Sequence, residues 1–179
     1  MMEEYEVFIN IHWIEENRIE ETVTEISAGS GVKEKQAYYF DRSDVALPGL
    51  HVYFKGCSDE EREHGMKFLA YQNKRGGNIS LTEIVGAPQN DWGSAKEAMM
   101  AALDLEKKVN QSLLDLHALA STHNDPNLVD FLETEFLQEQ VDSIKEIACH
   151  VTNLERVAGG LGEYIFDKEL KSSGLHDNK

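Results

Sequence analysis

The chain is poor in proline, cysteine, basic residues and long apolar runs, and each shortage removes a class of protein. Only three prolines occur, Pro48, Pro88 and Pro126, so long stretches are free of the residue that breaks helices. Two cysteines, Cys57 and Cys149, are too few for a disulfide framework. Cys57 falls on an apolar helical face and reads as a small packing residue. Lys and Arg number 17 against 33 Asp and Glu, a formal net charge of -16. That balance argues against nucleic-acid binding through phosphates and favours the attraction of cations. No apolar run approaches the roughly 18 residues of a membrane span. The acidic start, Met1-Met2-Glu3-Glu4-Tyr5, lacks the apolar region of a signal peptide. The expectation is a cytoplasmic protein that binds neither nucleic acid nor membrane.

What is present is helical period. Strand alternation and internal repeats are nearly absent, so the expected class is all-α, one domain over residues 1–179 with flexible tails at 1–8 and 171–179. Residues 6–37 carry Ile11, Ile14, Ile19, Val23 and Ile26 as an apolar stripe. Gly29-Ser30-Gly31 predicts a break there, because each glycine in a helix costs about 1 kcal/mol relative to alanine. A second helix is expected from Ser43 or Asp44, with Asp44 as N-cap, to Asn73, ending at Arg75-Gly76-Gly77. A third spans about 93–121. A fourth starts at Asp125 and Pro126 and ends at Gly159-Gly160, and a short fifth covers about 161–170. The connection over 74–92, with a short extended run at 79–84, is longer than antiparallel neighbours need. It suits a crossover along the length of a bundle.

The chemistry lies in polar residues set into apolar stripes. Leu50, Phe54, Cys57, Glu61, Gly65 and Phe68 recur at spacings of three and four, which places Glu61 on the buried face of its helix. His64 stands beside it. Glu106 interrupts the stripe Met99, Leu103, Val109 or Asn110, Leu113, Leu116. Gln140 interrupts Leu128, Leu132, Phe136, Ile144, Ile147, Val151. Helices of about 28 residues are about 42 Å long at 1.5 Å per residue, so their midpoints can meet at one level. A buried carboxylate needs a neutralising partner. Carboxylates, imidazole and an amide oxygen suit iron or another divalent ion. The Glu-x-x-His spacing belongs to the di-iron carboxylate bundles. Ser143 stands where a second such motif would put its histidine, which predicts one well-made metal position and one weaker one.

At this point the sequence resembles a eukaryotic ferritin of the heavy-chain, iron-oxidising type. The resemblance is carried by Tyr38-Tyr39-Phe40-Asp41-Arg42, Glu60-Glu61-Arg62-Glu63-His64, Gln72-Asn73-Lys74-Arg75-Gly76-Gly77, Leu105-Glu106-Lys107-Lys108-Val109-Asn110-Gln111-Ser112, Asn124-Asp125-Pro126, His150-Val151-Thr152-Asn153-Leu154 and Gly162-Glu163-Tyr164-Ile165-Phe166-Asp167-Lys168. It covers about residues 38–170. It implies a four-helix bundle with a long crossover and a short fifth helix, assembled into a 24-subunit cage, alone or with other ferritin subunits. Glu61, His64, Glu106 and Gln140 would line a di-iron ferroxidase centre. Fe(II) would be oxidised there by dioxygen and stored as a ferric oxyhydroxide core. Glu60 and Glu63 would lead toward the cavity, Asp130 and Glu133 would line acidic threefold channels, and Leu161 and Ile165 would line a fourfold axis.

The departures from the family lie in the first helix. Ile26 stands where relatives place a glutamate ligand, with Glu25 one residue away, and Lys33 replaces a tyrosine seven residues later. Three readings stay open. A local shift could let Glu25 ligate. The centre could be incomplete and the subunit work beside others. Or the stretch could derive from a frame or splice change. Met66 and Asn78 are smaller departures.

Overall fold

The computed structural model describes the backbone of residues 2–79, 89–157 and 159–173, and within these the side chains of residues 18–172. Helix α1 is Met2–Phe40 and α2 is Pro48–Lys74. Helix α3 is Ala95–Thr122, and the short α5 is Leu161–Ser173. Between them α4 is composite: an α-helical stretch Pro126–Leu132, a π-helical stretch Glu133–Leu137 and an α-helix Gln138–Val157. No strand occurs among the described residues. The extended run expected at 79–84 falls almost wholly on residues outside the described set, as does most of the C-terminal tail. Residues 171–173 belong to α5 instead.

The helix starts follow local chemistry. Ser94 and Glu97 form a reciprocal capping box at α3. Asp125 caps α4 by accepting from the Leu128 N–H, with Pro126 in the first turn. Helix α2 differs from expectation. Its N-cap is Leu47, without a side-chain cap, and Pro48 opens the helix. Asp44 instead holds Arg42 in a two-pronged ion pair, so its carboxylate is spent before the helix begins.

Two apolar clusters fill the bundle end to end. One holds Phe40, Leu50, Phe54, Met99, Ile147 and Phe166. The other holds Ile26, Phe68, Val109, Leu113, Leu132 and Phe136. Burying each such side chain contributes on the order of 1.5–3 kcal/mol. Every long helix passes from one cluster to the other, and the order gives the topology. Helices α2 and α3 run from the first cluster to the second, whereas α1 and α4 run the opposite way. Hence α3 is parallel to α2, and the end of α2 and the start of α3 lie at opposite ends of the bundle. Helix α5 returns to the first cluster, where Asp167 Oδ1 accepts from the Leu50 N–H at 2.9 Å. Gly49 permits that approach, since a Cβ there would lie 1.9 Å from the Asp167 carbonyl oxygen.

Helix α1 does not break at its glycines. Ser30 Oγ donates to the Ser58 carbonyl at 2.9 Å, and Ser58 Oγ donates to the Ser30 carbonyl at 3.0 Å. These reciprocal bonds between α1 and α2 require close helix approach. Small residues on both sides provide it, and tertiary packing outweighs the local glycine cost.

Candidate metal centre

At the junction of the two apolar clusters each long helix contributes one buried polar side chain: Lys33 from α1, Glu61 from α2, Glu106 from α3 and Gln140 from α4. Three of these were expected from their stripes. Gln140 Nε2 donates to the Glu106 carbonyl oxygen at 3.1 Å and also to its Oε2. Glu61 Oε2 faces His64 Nδ1 at 3.6 Å. The π-helical stretch helps to aim Gln140. Leu128, Leu132, Phe136 and Gln140 are all buried at spacings of four, which would drift about 40° per step around an ordinary α-helix of 3.6 residues per turn. The wider turn at Glu133–Leu137 absorbs that drift.

Lys33 is the residue that stripe reading missed. Its ammonium donates to Glu61 Oε1 at 2.9 Å and to Glu106 Oε1. All three side chains are at most 5% exposed. Burial alone would lower the lysine pKa, but the charges of Glu61 and Glu106 raise it above its ordinary value. Burial would raise the Glu61 carboxyl. Hydrogen bonding from His64 and the Lys33 charge outweigh it and hold the group below the usual carboxylate range. Lys33 and Glu61 therefore face each other as ions at neutral pH. The signal for Lys33 was available: it lies on the buried face of α1 with Ile26, Ala37 and Phe40, so it interrupts an apolar stripe as Glu61 does. A Cβ at Gly29 would make ordinary contact with Glu61 Oε1, at 3.6 Å.

His64 lies at the margin. Its Nε2 is 3.3 Å from Glu139 Oε2, and its ring meets Phe136 edge-on. Burial would lower the imidazole pKa, but Glu61 and Glu139 together raise it. Glu139 is exposed and was not anticipated. Glu60 and Glu63 are also exposed, and burial together with the Glu139 charge raises the Glu60 carboxyl. Glu25 is exposed, while Ile26 beside it is buried, so α1 does not turn Glu25 into the pocket. Asp130 and Glu133 are exposed on α4, and Glu133 Oε1 is 2.8 Å from His117 Nε2. Leu161 and Ile165 are exposed on α5. Burial pushes the Cys57 thiol up to about 12, so it stays protonated at neutral pH.

The donor set fits iron in type: two carboxylates, an imidazole and an amide. In position the set is closed around Lys33. Among the described residues no three His, Cys, Asp or Glu side chains form a group that could hold a metal ion. Among the same residues, no helix is long and apolar enough to cross a membrane.

Comparison with known proteins adds an independent line. Residues 34–157 match the ferritin-like domain family. The chain is 61% identical over 140 residues to soma ferritin of Lymnaea stagnalis, covering 78% of this chain and 80% of that protein. It is 54% identical over 147 residues to a ferritin of Pacifastacus leniusculus, covering 82% and 81%. It is 54% identical over 135 residues to a ferritin middle subunit of Salmo salar, covering 74% and 77%. A bundle with a crossover and a short fifth helix, a polar pocket at its midpoint and these relatives agree: the chain belongs to the ferritin family.

Proposed function

We propose that this chain is an iron-storage subunit of a multi-subunit cage, and that Fe(II) is met and oxidised by dioxygen at the pocket of Glu61, His64, Glu106 and Gln140. The observation that carries the reading is the convergence of Glu61, Glu106 and Gln140 from three helices on one buried level. Iron here is substrate and cargo. The two carboxylates favour the ferric state as it forms, because anionic oxygen donors stabilise the higher charge. His64, at the edge of the pocket, faces the exposed Glu139 and would pass cations between the pocket and the acidic groups Glu60, Glu63 and Glu139. Asp130 and Glu133 would gather hydrated cations where three copies meet at a symmetry axis. Ferric oxyhydroxide would accumulate inside the shell.

Aerobic loading of the assembled protein with Fe(II) tests this. Ferric iron should co-elute with a cage-sized species in size-exclusion chromatography. A species of one or two chains that retains no iron would overturn the reading.

A second reading is favoured by one observation. The buried position on α1 is Ile26, and Glu25 faces solvent, so among its described side chains α1 brings no carboxylate to the pocket. The chain would then build the shell and retain mineral while oxidising iron slowly, beside faster subunits. Stopped-flow mixing with Fe(II) separates the two. A fast phase above the protein-free control supports oxidation at this pocket, and its absence supports the shell-forming subunit.

A further inference from the structure

We propose that Lys33 is a tethered internal cation that occupies the place between Glu61 and Glu106 where a divalent ion would otherwise sit, so that this subunit keeps its pocket closed without metal. The inference rests on the reading of this pocket as the iron-handling site. It concerns what controls entry there.

The geometry has three parts. The Lys33 ammonium bridges one oxygen of each carboxylate, Oε1 of Glu61 and Oε1 of Glu106. The second oxygen of each is also engaged, Glu106 Oε2 by the Gln140 amide and Glu61 Oε2 facing His64. The lysine is held in place along its length, because its side chain is 4% exposed and its helix is locked to α2 by the Ser30–Ser58 bonds. A cation that arrives from solution must therefore displace a positive group that cannot diffuse away. The effective concentration of a tethered group at its own site is high, so a divalent ion binds more weakly than it would to the same carboxylates without the lysine.

The arrangement also separates folding from metal. In a pocket of two buried carboxylates alone, the empty state would carry uncompensated charge, and metal binding would stabilise the fold. With Lys33 in place the empty pocket is already neutralised in part.

The test uses assembled cages of the wild type, Lys33→Met and Lys33→Met/Glu61→Gln, with Zn(II) as a redox-inert probe. Lys33→Met should gain about one tight Zn(II) site per subunit by calorimetric titration, and Zn(II) should raise its melting temperature. The wild type should bind Zn(II) at this pocket at least tenfold more weakly and with a smaller melting shift, and Lys33→Met/Glu61→Gln should lose the added site, which separates it from binding at exposed acidic groups. Equal Zn(II) stoichiometry and equal melting shifts in the wild type and Lys33→Met would overturn the proposal. If Lys33→Met assembles only when Zn(II) is present, the proposal stands. Failure of Lys33→Met/Glu61→Gln to assemble as well would overturn it, because the lysine would then serve packing rather than charge. None of these outcomes depends on iron storage. A cage that stores no iron would defeat the proposed function and leave the Zn(II) result to be read on its own.

Discussion

Several ion pairs link the helices of this chain, and the buried cluster of Lys33 and the pair Arg75–Asp125 sit in opposite environments. Lys33 with Glu61 and Glu106 joins α1, α2 and α3 at the centre of the bundle, where all three side chains are at most 5% exposed. Arg75 with Asp125 joins the residue after α2 to the cap of α4 near one end of the bundle, with side-chain exposures of 31% and 12%. The first arrangement replaces water entirely, so each member depends on the others for its charge to be tolerated. In the second, water can take over much of what either partner loses, and Arg75 Nη1 also donates to the Tyr71 hydroxyl at 2.6 Å. The lesson is that the same chemical pairing sets a functional constraint in one place and a local join in the other.

The comparison is broken most directly at its buried side. Lys33→Met leaves Glu61 and Glu106 facing each other, and removal of one partner from a buried cluster costs about 3–5 kcal/mol. Thermal unfolding of the metal-free cage should show that loss. A melting temperature equal to the wild type would mean that water enters the pocket freely. The partly exposed pair should respond less. Asp125→Ala removes both the Arg75 partner and the Leu128 N–H acceptor, with an expected loss of about 1–2 kcal/mol, and Asp125→Asn should recover part of it through the cap.

Acid should probe the same residue more gently. Burial would raise the Asp125 carboxyl, but Arg75 and the Leu128 N–H hold it below the usual range. A folded pKa below the unfolded value gives stability that is present above about pH 4 and lost as pH falls through the folded pKa. Wild-type stability should therefore fall more than that of Asp125→Asn on acidification. Parallel curves for the two would remove the assigned role. The smallest effect is expected from Lys55→Ala, which breaks an exposed pair with Asp59 one turn along α2. Surface pairs of this kind contribute little, and the melting temperature should not move measurably.

These contrasts also explain what could be read from the sequence. Helices α2, α3 and α4 were legible because their stripes are long and their polar interruptions few, and Glu61, Glu106 and Gln140 stood out against Phe54, Met99 and Phe136. The parallel sense of α3 followed from a connection too long for a hairpin. Helix α1 was less legible for two physical reasons. Glycine cost is local, whereas the Ser30–Ser58 bonds that offset it come from residues 28 positions apart. Lys33 was read as the loss of an expected tyrosine, although its place on the buried face made it a gain of buried charge. The π-helical stretch left a trace in the run of four-residue spacings from Leu128 to Gln140. Such a run fits an ordinary helix well enough over two steps and departs from it only over three.

That stretch has a mechanical consequence. Helix α4 shows Asp130 and Glu133 to solvent near its start and turns Gln140 toward Glu106 near its middle. The widened turn between them acts as a phase adjuster, setting the angle at which one rod presents acids outward and an amide inward. A single residue of slack on α4 thus fixes how its outer face is timed against its inner one.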